Sequence, residues 1–252
     1  MDAAARLVVG LDGRGHTVPS TLRGEAPLLM RVTEAGRRLQ VHLVGGAAGP
    51  LGGDRLDLSV AVGPGAALEM RSVAATLVQP GTCCASASRA SVTAEVAGGA
   101  TLDWWPEPLV SVMGSDHTQI TTVQIADDSA TVRWVDEVVL GRHDEAGGRL
   151  TMQQRITVGG SPVLHHTVAF GPATAGTGRH GSGRIAVTGV LIGRPARTSA
   201  AVIESDHRVV RYPISPTCTA WIALADSLDV ARRALADLGM GSCAIDEPET
   251  PT

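Results

Sequence analysis

Apolar and polar side chains alternate with period two over much of this chain, and that alternation limits what it can fold into. Between Arg55 and Val62, the residues Leu56, Leu58, Val60 and Val62 fall on one side, against Arg55, Asp57, Ser59 and Ala61 on the other. This is the pattern of a strand with one buried face. The same reading predicts strands near residues 28–33, 38–44, 55–62, 66–72, 91–96, 118–125, 131–140, 149–158, 162–170 and 184–192. Connections such as Gly63-Pro64-Gly65 and Gly159-Gly160 are short, which favours antiparallel neighbours over helical crossovers. The expected fold class is mainly β: stacked, largely antiparallel sheets in one elongated domain over residues 1–245, with one or two helices. A flexible acidic tail is expected over residues 246–252, and a second mobile stretch in the glycine-rich run from Gly171 to Gly183.

One helix is predicted late in the chain. Asp226 or Ser227 can cap residues Leu228 to Leu238, and Gly239 can end them in the left-handed conformation. Leu228, Ala231, Leu235 and Leu238 share a face, so the helix should pack on a sheet or a partner. Aromatic residues are limited to Phe170, Tyr212 and four tryptophans, which leaves Val, Leu, Ala and Ile to build the core. Trp104 and Trp105 are adjacent, so on a strand they point to opposite faces and at most one enters a given core.

The basic residues number 21 and all are arginine. Without lysine the chain can form neither a Walker A loop, a kinase strand lysine nor a pyridoxal Schiff base. The net charge is -4 and no arginine block carries interleaved aromatics, so nucleic acid is not an expected partner. No apolar run approaches the ~20 residues of a membrane span, so no membrane association is expected either. The amino terminus lacks the features of a signal peptide, and four irregularly spaced cysteines fit a reducing compartment. The expected location is cytoplasmic.

Several groupings of reactive side chains occur along the chain. Ser115-Asp116-His117 holds the three triad residue types, but neighbours on an extended chain diverge, so no triad is expected. His165 and His166 should likewise face opposite ways, one outward and one inward. Cys83-Cys84 reads as a reduced vicinal pair. The run Val132, Trp134, Asp136, Val138 and Leu140 places Asp136 on an apolar face, with Glu137 on the other beside Val135 and Val139. Two readings stay open for that buried carboxylate: a bulge or hydrogen-bonded aspartate, or the wall of a water-filled passage that handles a cation. Asp136 and Glu137 are the first candidates for such a passage, followed by Asp54, Glu107 and Glu145; carboxylate and imidazole ligands suit borderline divalent cations.

Five elements then occur in order: Glu25-Ala26-Pro27-Leu28, Gly52-Gly53-Asp54-Arg55-Leu56, Ala74-Ala75-Thr76, Leu102-Asp103-Trp104-Trp105-Pro106-Glu107-Pro108, and Leu140-Gly141-Arg142. Together they resemble the urease accessory protein family UreD, also called UreH, over roughly residues 26–193. The resemblance makes Gly52, Gly53, Asp54, Trp105, Gly141 and Arg142 structural motif positions. Locally, Gly52-Gly53 can take positive φ and Asp54 can cap the turn amides. The resemblance implies a scaffold rather than an enzyme, with no catalytic residues and no tightly bound cofactor. It implies binding to UreF and, through UreF, to the GTPase UreG, and docking on the urease apoprotein for nickel insertion. An internal tunnel carrying nickel in transit is implied too. A β-rich hydrolase or carbohydrate-binding module is the alternative, resting on fold class and paired carboxylates; the scarcity of aromatic platforms weighs against it.

Overall fold

The computed structural model describes residues 1–81, 86–171, 183–196, 200–204 and 208–240. The Cys83-Cys84 pair, most of the glycine-rich run after Gly171, and the tail over 246–252 lie outside the described residues.

Numbered in chain order, the strands form two sheets. In the first, β1 (Asp2–Leu11), β5 (Arg55–Val62), β8 (Ser88–Val96), β11 (Asp116–Ile125) and β13 (Arg149–Val158) lie side by side and parallel. Antiparallel strands β2 (Thr17–Arg23) and β14 (Ser161–Phe170) flank them. In the second, β4 (Arg38–Gly45), β6 (Ala67–Ser72), β9 (Thr101–Trp104) and β12 (Thr131–Leu140) are parallel. β3 (Leu28–Glu34) borders this group on one side. On the other side, β15 (Ile185–Ile192), β18 (Cys218–Ala225), β17 (Arg208–Ser215) and β16 (Ala201–Glu204) follow, all antiparallel. Short strands β7 (Thr76–Val78) and β10 (Leu109–Ser111) pair with each other, and β10 also pairs with β12.

The mainly β class and the stacked sheets agree with expectation. The antiparallel pairing does not extend through the middle of either sheet. Gly63-Pro64-Gly65 is not a hairpin turn; it carries the chain from β5 in one sheet to β6 in the other. Each pass around the molecule adds a strand to both sheets, so neighbours come from successive coils and run the same way. Turn length alone does not separate a hairpin from such a corner.

The corners stack as regularly as the strands. Gly63 N–H donates to Val9 O at 2.9 Å, Ala97 to Val62 at 3.0 Å, Ala126 to Val96 at 2.9 Å and Gly159 to Ile125 at 2.9 Å. Gly65 and Gly99 hold matching positive φ values of 68° and 67°, which glycine adopts without Cβ strain. Immediately after the corners, Ala66, Ala100 and Ala130 are fully buried. Between the sheets, Leu7, Val60, Leu68, Leu102, Val132 and Trp134 build the larger core.

Helix α1 (Leu228–Asp237) starts at Ser227, whose Oγ accepts from Val230 N–H, and Gly239 follows it at φ 73°. It lies on the outer face of the second sheet. Ala231 and Leu235 are buried there with Trp105, Val135 and Trp221, each such large apolar side chain contributing roughly 1.5–3 kcal/mol. Consequently β12 is covered on both faces.

Candidate functional site

The sheets close against each other near the corners through Val60, Val96, Ile125 and Val132. Toward the opposite ends of the same strands, the inward positions turn polar. His117, Gln119 and Thr121 on β11, Asp136 on β12, Gln154 on β13 and Thr188 on β15 line space between the sheets. A cavity of about 470 Å³ opens here, with His117, Gln119, Asp136 and Trp104 in its wall and the segments Ala47–Pro50 and Ala74–Leu77 around its mouth. That volume lies in the range of small-molecule sites, apolar walls with a few placed polar groups. A second cavity of about 10 Å³ adjoins it and shares Gln119, Asp136 and Met152.

Asp136 dominates the electrostatics. Its Oδ2 accepts from Trp134 Nε1–H at 3.1 Å. Trp104 stacks on Trp134 with ring centroids 4.5 Å apart and planes within 8°. Desolvation by surrounding protein pushes the Asp136 carboxyl up to about 6, against the pull of the two indoles. Trp104 Nε1 is buried without a partner within hydrogen-bond distance, so its help is weaker than that of Trp134.

Among the described residues, each acid that is buried meets a neighbouring cation. Asp54 accepts from the Met1 ammonium at 2.8 Å. Glu69 meets Arg71 at 3.1 Å and Arg38 at 3.4 Å. Asp103 lies between Arg71 and Arg133, at 2.8 and 2.5 Å. Glu137 accepts from Arg232 at 2.9 and 2.6 Å. Among the described residues, Asp136, partly buried on β12, lines the cavity without such a cation.

His117 is fully buried. Its Nδ1 lies 2.8 Å from Ser88 Oγ, which also donates to Asp116 O at 3.3 Å. Burial depresses the imidazole to about 4, so it is neutral at pH 7. Its Nε2 has no hydrogen-bond partner. The neighbouring Ser115 side chain turns to Ser111 and Asp116 toward Arg149, so the three triad types diverge as expected.

The remaining sequence candidates occupy separate places. Glu137 sits on the outer face of β12, where Trp105 Nε1–H also donates to it at 3.0 Å. Glu107 is at the cavity mouth, 3.4 Å from Arg232. Asp54 caps a turn, its Oδ2 accepting from Leu51 N–H at 2.9 Å, and of the glycine pair before it Gly53 holds positive φ, 90°. Glu145 lies in the turn after Gly141 (φ 78°) and accepts from Arg142 Nε at 2.8 Å, an ion pair that keeps its carboxyl below the usual range. The structure therefore brings Asp136, Glu137 and Glu107 to the lining of one cavity, Glu137 held there by Arg232, and leaves the Asp54 and Glu145 side chains in local turn contacts. Trp104 faces inward and Trp105 is buried beneath α1, its ring 5.1 Å from the Arg133 guanidinium carbon.

The sequence profile of the UreD urease accessory protein family matches residues 1–237. The chain belongs to the UreD family. It is 37% identical to the urease accessory protein UreD of Parafrankia sp. (strain EAN1pec), covering 94% of this chain and 87% of that one. It is 41% identical to UreD of Streptomyces avermitilis over 69% of each chain. With UreD of Frankia alni the figure is 36%, over 86% of this chain and 85% of the relative. In this UreD member, Pro27-Leu28 and Ala74-Ala75-Thr76 stand at the cavity mouth, and Trp104 of the tryptophan motif stands in its wall. Sequence reasoning missed His117, Gln119, Thr121 and Gln154 as cavity residues. The signal was available: Gln154 interrupts the series Leu150, Met152 and Ile156, as Asp136 does its own, and His117, Gln119 and Thr121 extend the inward side of Val123 and Ile125 with polar residues.

No described helix is long and apolar enough to cross a membrane. Among the described residues, no three His, Cys, Asp or Glu side chains converge as a metal cluster.

Proposed function

We propose that this chain is a scaffold for nickel insertion into urease. It works in the cytoplasm, binds UreF and through it the GTPase UreG, and docks the assembly on the urease apoprotein. Nickel crosses the space between the two sheets as cargo. Family membership supports the pathway. One observation carries the passage: Asp136 is a partly buried carboxylate on the cavity wall without a protein cation, and a desolvated charge is costly unless a cation meets it. A single carboxylate with neutral neighbours holds a divalent ion weakly enough to release it. The chain has no lysine for a phosphate-binding loop, so nucleotide hydrolysis falls to a partner.

Glu137, engaged by Arg232 and Trp105, anchors the C-terminal helix in this reading, and Asp136 is the residue of the path. The carbohydrate-binding alternative gains nothing from the cavity, which has Trp104 as its one aromatic wall residue among those described.

Co-expression with UreF, UreG and the urease subunits tests the proposal. The complex should co-purify, and Asp136→Asn should leave it intact while lowering the nickel content of urease. Failure to recover a complex would remove the scaffold reading. An intact complex with unchanged nickel would remove the passage.

A further inference from the structure

The two sheets do not end together. Val168 and Phe170 of β14 pack with Ala186 on β15 and Leu224 on β18, so the first sheet stops above β18 while β17 and β16 continue beyond it. The second sheet therefore overhangs by two strands, a ledge about 10 Å wide. Val209 on β17 is buried beneath α1 with Trp221, which turns Val210 and Tyr212 to the face that the first sheet would cover. Val202 on β16 is in register with Val210 and shares that face. Val202 is 59% exposed and Tyr212 39%, so the ledge presents apolar side chains without an opposing layer. Both strand edges at this end are open too. Among the described residues, β14 pairs with β13 alone and β16 with β17 alone. The ten residues of β14 include no Asp, Glu, Lys or Arg, the charges that usually guard a free edge. The opposite end of the molecule is guarded: β2 contains Pro19 beside a register shift, and β3 has a shift between Val32 and Glu34.

We propose that this end is an interface for a second copy of the chain, joined to the first as a two-fold lap joint. A half-turn about an axis along the strands exchanges the two layers. It lays the β16–β17 hairpin of each copy on the ledge of the other, two strands on two strands, with neither gap nor collision. Val202 of one copy then covers Val210 and Tyr212 of the other, and each β16 extends the first sheet of the other copy at β14. Coils run out along one sheet and back along the other. Counting the antiparallel steps from β13 and from β12 leaves β14 and β16 running the same way, so the new ladders are parallel. A half-turn perpendicular to the sheets would instead drive the two ledges into each other. The lap joint uses the same surface on both copies, so assembly stops at two. It does not rest on the nickel reading.

Analytical ultracentrifugation of the full chain tests this, with circular dichroism to verify folding. Wild type should be a monomer–dimer equilibrium that shifts to dimer with concentration. The double variant Val202→Arg, Tyr212→Arg places charges on the ledge and should dimerise at least about tenfold more weakly. Tyr212→Ser, which adds no charge, guards against a folding defect and should weaken the dimer as well. Val18→Arg and Leu22→Arg lie on β2 at the opposite end, where Val18 is 39% and Leu22 38% exposed, and should dimerise as wild type does. A wild type that stays monomeric at every concentration would overturn the proposal. So would wild-type dimerisation of both ledge variants, or a dimer lost equally in the β2 variants. Oligomers that grow without limit would also overturn it, because they mark head-to-tail joining of edges.

Discussion

Arg232 on the C-terminal helix donates two hydrogen bonds to Glu137 on β12, whose side chain is fully shielded from solvent. Arg232→Met should leave a buried carboxylate with only the Trp105 indole, at a cost of about 3 kcal/mol. Chemical denaturation should show this loss, and the double variant Arg232→Met, Glu137→Gln should recover much of it. A single variant as stable as wild type would mean that the helix is held by apolar packing alone.

Gly189 lies directly under the Trp221 indole, and a Cβ there would overlap the ring. Gly189→Ala should destabilise by about 1–3 kcal/mol through overpacking, read as a lower melting temperature. Pairing it with Trp221→Leu should shrink the penalty, because the overlapping ring is gone.

His117 gives the fold an acid limit. Its imidazole is held at about 4, below the ordinary 6.5, chiefly by burial. The unfolded chain therefore binds the proton more readily, and this contribution to stability is complete above 6.5 and is lost as pH falls toward about 4. His117→Leu should flatten the fall in melting temperature across that window, with Ser88 still hydrogen-bonded to the Asp116 carbonyl.

Asp136 acts with the opposite sign. Its carboxyl is raised from 3.8 to about 6, so its contribution is complete below the lower value and is lost as pH rises through the upper one. Asp136→Asn, which can still accept from Trp134, should be more stable than wild type at pH 8 and indistinguishable from it near pH 4. Melting curves at the two pH values check this. A gain in stability together with a loss of nickel delivery would mark a functional group kept at the expense of the fold.

Much of the architecture was legible because alternation survives wherever a strand has one wet face. Predicted bounds for the strands now seen as β5, β12 and β13 coincide with those observed. β18 was hidden for the opposite reason. Cys218 to Ala225 is apolar almost throughout because α1 packs on one face and the other, through Leu224, meets Leu150, Met152 and Phe170 of the first sheet, so period two is erased. β1 was hidden by its alanines, which are buried at Ala3 and Ala5 yet lack strong strand preference. Parallel pairing was illegible from turn chemistry, although the recurrence of a corner followed by Ala66, Ala100 and Ala130 was a coil repeat in plain view. Asp136 was legible from its face. The unpaired state that distinguishes it from Glu137 was not, since the arginine that neutralises Glu137 arrives from a helix far along the chain.

Because both faces of β12 are covered, the strand works as a reading frame for two adjacent acids. Sliding it by one residue would exchange their sides: the tethered carboxylate would swing into the cavity, and the free one would meet Arg232. A one-residue insertion or deletion between the Ala130 corner and Asp136 should therefore invert the polarity of the wall without altering a single acidic residue.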